Sequence, residues 1–232
     1  APQQNRFAMA GFRDGRGTAS GPLSNDTDVL ADQPALELRL PAPAILRSIE
    51  AQWQEIRKPV RLLILLDVSS ARALASTAAS VRELSSRDVI EVWAIADSPG
   101  NGAYRRVVAP VTVGSAQAEL NQAIESAGAR SRPGAIYAAT EAAYGYVLSN
   151  PDPERINAIV LISDEVDDRA GPSLVDLERT VRPQPDGPLI RIYAVAFPGS
   201  SAAALQAIAT ASAGVFSKGQ PDIAVRKALT NT

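Results

Sequence analysis

Four continuous apolar runs separated by helical patterns constrain the fold of this chain most strongly. Apolar runs without polar alternation are typical of parallel strands that are covered by helices on both faces. The segments between them repeat apolar residues at helical spacing, as at Leu74, Ala78 and Val81. The sequence therefore predicts an α/β fold: a doubly wound, mostly parallel six-stranded sheet with helices on both faces, of Rossmann-like type. The four runs are RLLILLDV (61–68), VIEVWAIA (89–96), AIVLIS (158–163) and LIRIYAVAF (189–197).

A fifth strand candidate, YRRVVAPVTV (104–113), differs from these runs. Pro110 cannot donate a hydrogen bond to a strand ladder, which favours a position at the sheet edge. Only the short link 97–102 joins this segment to the preceding strand, and a link without a helix implies an antiparallel hairpin. We therefore expect one antiparallel edge strand.

Composition along the chain suggests three parts. Residues 1–42 are polar and predict an extended arm or linker, with LELRL (36–40) as a short strand candidate. Residues 43–58 predict a leading amphipathic helix, and residues 59–232 the α/β domain. No stretch reaches the ~20 apolar residues of a transmembrane helix, so we predict no transmembrane segment in this chain.

Composition also excludes several functions. The net charge of −2 and the lack of a basic, aromatic-rich run argue against nucleic-acid binding. The chain contains no His and no Cys, which removes the Ser-His-Asp triad, thiolate nucleophiles and the usual zinc ligands. Any metal must therefore have oxygen ligands, which points to Mg²⁺, Mn²⁺ or Ca²⁺.

Two of the predicted strands end in an acid. Asp67 ends the first strand, with Ser69 two residues later, and Asp164 ends the fourth. Taken singly, Asp67 and Ser69 are also typical of a helix cap, and Asp164 of a solvated loop. If the winding reverses between these strands, they become neighbours and their carboxylates converge where open α/β sheets bind ligands. We therefore expect a site there.

The first of these segments resembles the metal-ion-dependent adhesion site of von Willebrand factor type A (vWA) domains. That site begins D-x-S-x-S after the first strand, and here the match is DVSSA. Asp67 and Ser69 agree with the pattern, while Ala71 stands where the second Ser belongs. The resemblance therefore implies a metal site that is partly degenerate.

The other two parts of the adhesion site are also partly matched. The second loop of the family carries a Thr before a helix, and here RPGAIYAA (132–139) places Gly134 at that position. The third part is a strand that ends in Asp followed by Gly, and here Glu165 follows Asp164. The resemblance covers about residues 59–229 and implies three remaining ligands. These are Asp67, Ser69 and Asp164.

The resemblance implies a non-catalytic, adhesion-type protein-binding module that holds a divalent cation weakly or not at all. Without a cation, the two facing carboxylates would repel each other, and we hypothesise that Arg132 or Arg130 neutralises them instead. The alternative is that both arginines are solvated. A Mg²⁺-dependent hydrolase is a further alternative, but no base or nucleophile for it is evident in the sequence.

A narrower resemblance rests on GFR (11–13), followed by a Pro-rich linker and an amphipathic helix. This order resembles bacterial extracytoplasmic proteins, expected to be actinobacterial, in which a solute-binding-like domain precedes a C-terminal vWA domain. Residues 1–42 would then be a remnant of that domain plus the linker. The resemblance implies an extracytoplasmic location. It also leaves open a structural or regulatory role beside a solute-binding domain, with a vestigial site that holds no metal.

Overall fold

The computed structural model of the chain contains two compact units, residues 1–56 and 57–232. The first unit contains one described helix, α1 (Pro43–Ile56). The second unit contains the sheet and all the other elements named below. The structure describes residues 41–68, 71–82, 84–95, 102–127, 135–163, 171–197 and 202–219, together with positions 6, 9, 10, 12 and 225.

The second unit is built on a six-stranded sheet with the strand order β3-β2-β1-β4-β5-β6. All neighbouring strands are parallel except β2 and β3, which are antiparallel. The mostly parallel sheet and its antiparallel edge are therefore confirmed. β6 was not identified from the sequence, and LELRL (36–40) lies outside the described residues. The strands are β1 (Val60–Leu66), β2 (Val89–Ile95), β3 (Tyr104–Thr112), β4 (Ile156–Ser163), β5 (Arg191–Ala196) and β6 (Phe216–Lys218).

Two apolar cores, one on each face of the sheet, explain the continuous apolar runs. Alternate residues of β1, such as Leu62 and Leu63, enter opposite cores, because successive strand side chains point to opposite faces. Helices α2 and α3 contribute to the first core, and α4, α5 and α6 to the second. These helices are α2 (Ala71–Val81), α3 (Val113–Ser126), α4 (Ile136–Ser149), α5 (Leu174–Thr180) and α6 (Ala203–Ala211).

The edge strand β3 lies where Pro110 predicts it. The pairing register between β2 and β3 shifts between Ile90 and Val92, opposite the segment that contains Pro110. Because of this irregularity, no hydrogen bond of the ladder requires the backbone N–H group that proline lacks. The expected antiparallel hairpin partner of β2 is thus confirmed.

A buried ion pair lies at the amino ends of β1 and β2. The Arg57 guanidinium donates to Asp88 Oδ2, and the two side chains are 2% and 0% exposed. Asp88 also accepts hydrogen bonds from the backbone N–H groups of Val60 at 2.9 Å and Ser85 at 2.7 Å. The carboxylate thus ties the chain before β1 to the turn before β2, which is a structural role.

The winding of the sheet reverses between β1 and β4. These strands are direct neighbours, with Leu66 opposite Ile162 at their carboxyl ends. The crevice beyond such a switch point is where open α/β sheets bind ligands. The predicted neighbourhood of the first and fourth strands is therefore confirmed.

Candidate functional site

Asp67 lies at the switch point, directly after β1. Its backbone N–H donates to the Ile162 carbonyl at 2.9 Å, which extends the β1–β4 ladder by one residue. The residue is only 4% exposed, although an ionised carboxylate is seldom buried without partners. The backbone of Asp67 is thus fixed by the sheet rather than by a loop.

Ser163, the last residue of β4, holds the Asp67 side chain. Its Oγ donates to Asp67 Oδ2 at 2.9 Å, and Ser163 is fully buried. A hydrogen bond to a carboxylate is stronger than one between neutral groups. Neighbouring strands therefore supply the carboxylate and its donor.

Sequence reasoning missed the role of Ser163, although a signal for it exists. The apolar runs before Asp67 and before Asp164 are of similar length. If they are aligned as parallel neighbours that end at the same level, Asp67 faces Ser163, one residue beyond the Leu66–Ile162 pair. Strand register, rather than residue type, would have identified this contact.

Most of the other predicted site residues lie outside the described residues: Ser69, Gly134 and Asp164, together with Arg130 and Arg132. Ala71, which replaces a family ligand, is the first residue of α2. The adjacency of the two acid-ended strands is thus established, while the convergence of their carboxylates stays a prediction.

The chemistry of the donor atoms determines which cation the site can hold. The carboxylate of Asp67 and the hydroxyl of Ser163 offer oxygen only, which suits Mg²⁺, Mn²⁺ or Ca²⁺. Within the described ranges, no group of three or more His, Cys, Asp or Glu side chains is placed to hold a metal. Asp67 therefore fits as one ligand of a site whose other ligands would come from Ser69 and Asp164.

A second polar cluster lies on the sheet between β2 and β3. Glu91 is 2% exposed, and its Oε1 accepts from Trp93 Nε1 at 2.6 Å and pairs with Arg106 Nε at 2.9 Å. Trp93 stacks on Tyr104 with ring centroids 3.7 Å apart. Trp93 is completely buried, and sequence reasoning missed the role of Glu91. Because these contacts link two strands of the same chain, the cluster is structural.

Comparison with known families and with curated proteins gives no match for this chain. Within the described part of the chain, no helix has the length and apolar character needed to cross a membrane. The informative similarity is to solved structures.

Three solved structures show this similarity. One is a von Willebrand factor type A protein from Catenulispora acidiphila, with a TM-score of 0.55, 16% identity, and coverage of 74% of this chain and 41% of that one. The second is proximal thread matrix protein 1 from the mussel byssus with a zinc-occupied MIDAS motif. Its TM-score is 0.56 and its identity 15%, and the alignment covers 75% of this chain and 46% of that one. The third is the pilus adhesin SpaC from Lactobacillus rhamnosus GG. Its TM-score is 0.51 and its identity 11%, and the alignment covers 76% of this chain and 30% of that one.

The chain has the fold of von Willebrand factor type A domains. The alignments with these structures cover 74–76% of the chain. The chain spans less than half the length of each of the three. At these identities the similarity establishes the fold alone.

Proposed function

We propose that this chain is a non-catalytic, extracytoplasmic protein-binding module of adhesion type, with a partial metal site at the carboxyl end of its sheet. The observation that carries the proposal is the fixed carboxylate of Asp67. Its backbone is bonded to Ile162, and its side chain accepts from the buried Ser163. A ligand that is held before the cation arrives loses little freedom on binding.

The composition of the site implies weak cation binding. Ala71 and Gly134 have no side-chain oxygen, so Asp67, Ser69 and Asp164 are the proposed ligands. Mg²⁺ can be bound through one or two carboxylates while it keeps several waters. The rim around these residues would then contact a protein partner, partly through the ion and partly through ordinary polar and apolar contacts.

The proposed role in binding, rather than catalysis, follows from the side chains that are present. The chain has no His and no Cys, and Asp67 is buried and hydrogen-bonded. A general base must reach the proton that it abstracts, and a buried, bonded carboxylate is poorly placed for this. Hydrolysis of p-nitrophenyl phosphate in Mg²⁺ that disappears in Asp67→Ala would instead identify a hydrolase.

Similar proteins support the proposed class and location. One similar structure is a pilus adhesin, and another comes from the mussel byssus and has a zinc-occupied MIDAS motif. Both names point to proteins that act outside the cell. The vWA fold and the fixed Asp67 carboxylate fit the same class.

An internal cation is the proposed alternative to a bound metal. Arg132 or Arg130, from the loop that carries a ligand in the family, would neutralise the carboxylates of Asp67 and Asp164. The rim would then bind protein without metal. This alternative predicts that Arg132→Ala lowers stability and that added cations partly restore it.

Thermal unfolding in EDTA, and then with Mg²⁺, Mn²⁺ or Ca²⁺, tests the proposal. An ion at ~100 times its dissociation constant stabilises the folded state by about 2.7 kcal/mol. For a domain of this size, we expect a rise in midpoint of about 5–10 °C.

Matched variants make the thermal test specific. The rise should vanish in Asp67→Ala and persist in Asp152→Ala, which removes a carboxylate that is paired with Arg155, before β4. An equal rise in Asp67→Ala would show that the ions act elsewhere and would overturn the metal part of the proposal.

A further inference from the structure

A groove of about 490 Å³ lies at the end of the sheet opposite Asp67. It is formed where β1, β4 and β5 begin, and three cationic side chains and one carboxylate line it. The formal charge of this lining is +2, from the three cations Lys58, Arg155 and Arg191 and the one carboxylate of Asp152. The whole chain, by contrast, carries a net charge of −2. The groove therefore favours an anionic occupant.

Part of the groove lining is apolar. Three prolines and Leu189 line it beside the cations, and Leu189 is 45% exposed. Large apolar side chains exposed beside polar groups are typical of protein contact sites. An occupant that fits both features combines carboxylates with an apolar side chain. The three prolines are Pro151, Pro153 and Pro188.

Arg155 has an unused donor at this groove. Its Nη1 donates to Asp152 Oδ2 at 2.6 Å, while its Nε is shielded from solvent and has no hydrogen-bond partner among the described residues. A buried donor without an acceptor is costly, and a carboxylate is the acceptor that guanidinium groups bind best. The Arg155 side chain is also 29% exposed, which leaves part of its surface for a carboxylate that enters the groove.

The chain itself contains a segment with this chemistry. Residues 164–168 read DEVDD, four carboxylates around Val166. The segment follows β4, whose eight residues span roughly 26 Å from the groove end of the sheet. Ser163 ends β4 at the opposite end of the sheet, and five extended residues span at most about 18 Å, so residues 164–168 cannot reach the groove of their own molecule. A second copy presents the same groove without this constraint.

We propose that residues 165–168 of one copy, which follow the proposed ligand Asp164, dock into the groove formed by Lys58, Arg155, Arg191 and Leu189 of a second copy. The contact joins two different surfaces, so it is heterologous and can repeat head to tail. This inference rests on the proposed function in one respect, since it names a partner for the protein-binding rim. It does not require the metal.

Sedimentation velocity in EDTA tests the docking without involving the metal site. In about 50 mM NaCl, where charges are little screened, we expect concentration-dependent assembly that dissociates in about 0.5 M NaCl. Lys58→Glu, in the groove, and Asp167→Lys, in the acidic segment, should each weaken assembly by about tenfold or more. Arg82→Glu changes an exposed cation outside the groove by the same charge and should have no effect.

Mixing the two defective variants distinguishes docking from a general charge effect. Lys58→Glu keeps its acidic segment, and Asp167→Lys keeps its groove. The mixture should therefore regain the assembly that each variant lacks alone, because the intact segment meets the intact groove and the two reversed charges attract each other. Leu189→Glu, another exposed position of the groove, should reproduce the Lys58→Glu defect.

Two results would overturn the docking proposal. One is a monomer up to about 1 mM in low salt, which would leave no affinity of biological use. The other is assembly that Lys58→Glu and Leu189→Glu leave unchanged. Neither result affects the metal titration of the rim, so failure of this inference and failure of the proposed function are distinguishable.

Discussion

Ser163→Ala perturbs the candidate site with the smallest change. It deletes the hydroxyl that donates to Asp67 Oδ2 at 2.9 Å, in a fully buried position. A buried hydrogen bond to a charged group contributes about 1.5–3 kcal/mol, and deletion of one oxygen atom leaves little cavity. For a domain of this size, each kcal/mol moves the midpoint by about 2–4 °C. We therefore expect a fall of about 3–12 °C in EDTA.

Urea unfolding of Ser163→Ala beside Ser126→Ala measures this contribution. Ser126 Oγ donates to the Ala123 carbonyl at 3.1 Å in an exposed position, so Ser126→Ala removes the same atom and should change stability by less than ~0.5 kcal/mol. A double-mutant cycle with Asp67→Ala should give a coupling of about 0.5–3 kcal/mol. If Ser163→Ala were as mild as the control, Ser163 would not hold the Asp67 carboxylate.

Three further predictions concern the fold. Asp88→Asn removes the negative charge that faces the buried Arg57 guanidinium and should cost about 3–5 kcal/mol in urea unfolding. Asp152→Asn should cost under ~1 kcal/mol, because its ion pair with Arg155 is partly exposed. Equal losses of stability in Asp88→Asn and Asp152→Asn would show that burial of the ion pair does not set the cost. Gly145→Ala, with no atom within 4 Å of the new Cβ, should stabilise α4 by about 1 kcal/mol. Gly214→Ala forces Cβ into the backbone oxygen of Ile192 and should destabilise by about 3 kcal/mol or more. Stability changes of the same sign in the two glycine variants would contradict this prediction. Burial raises the pKa of Tyr144 above its ordinary value of 10.0, so its contribution to stability is complete below pH 10 and is lost as pH rises through the higher folded pKa. Tyr144→Phe should therefore lose less stability than the parent above pH 10, and equal slopes in urea titrations would contradict this.

Much of the fold could be predicted because the sheet is buried on both faces. Such strands must be apolar throughout, as VRLLILL in β1 is, and this pattern is visible in one sequence. Pro110 marked the edge strand for an equally local reason. The three residues of β6 are too few to produce a periodic pattern, so that strand was missed.

The site was less predictable, because its contacts join distant parts of the chain. Asp67 was identifiable from its position after an apolar run. The Ser163–Asp67 hydrogen bond spans 96 residues and depends on the register of two strands. The acceptor role of Glu91 likewise depends on which side chains face it across the sheet. Register and facing partners are set by the whole fold, and residue type does not determine them.

Electron paramagnetic resonance of Mn²⁺ titrated into the protein counts the bound ions and so tests the metal site at the end of β1. We expect one Mn²⁺ per chain with a dissociation constant of about 10⁻⁴–10⁻³ M, at the weak end for protein cation sites. Binding should be lost in Asp67→Ala and retained in Asp152→Ala. Equal binding in Asp67→Ala, or no binding up to about 10 mM, would contradict a metal site at the end of β1.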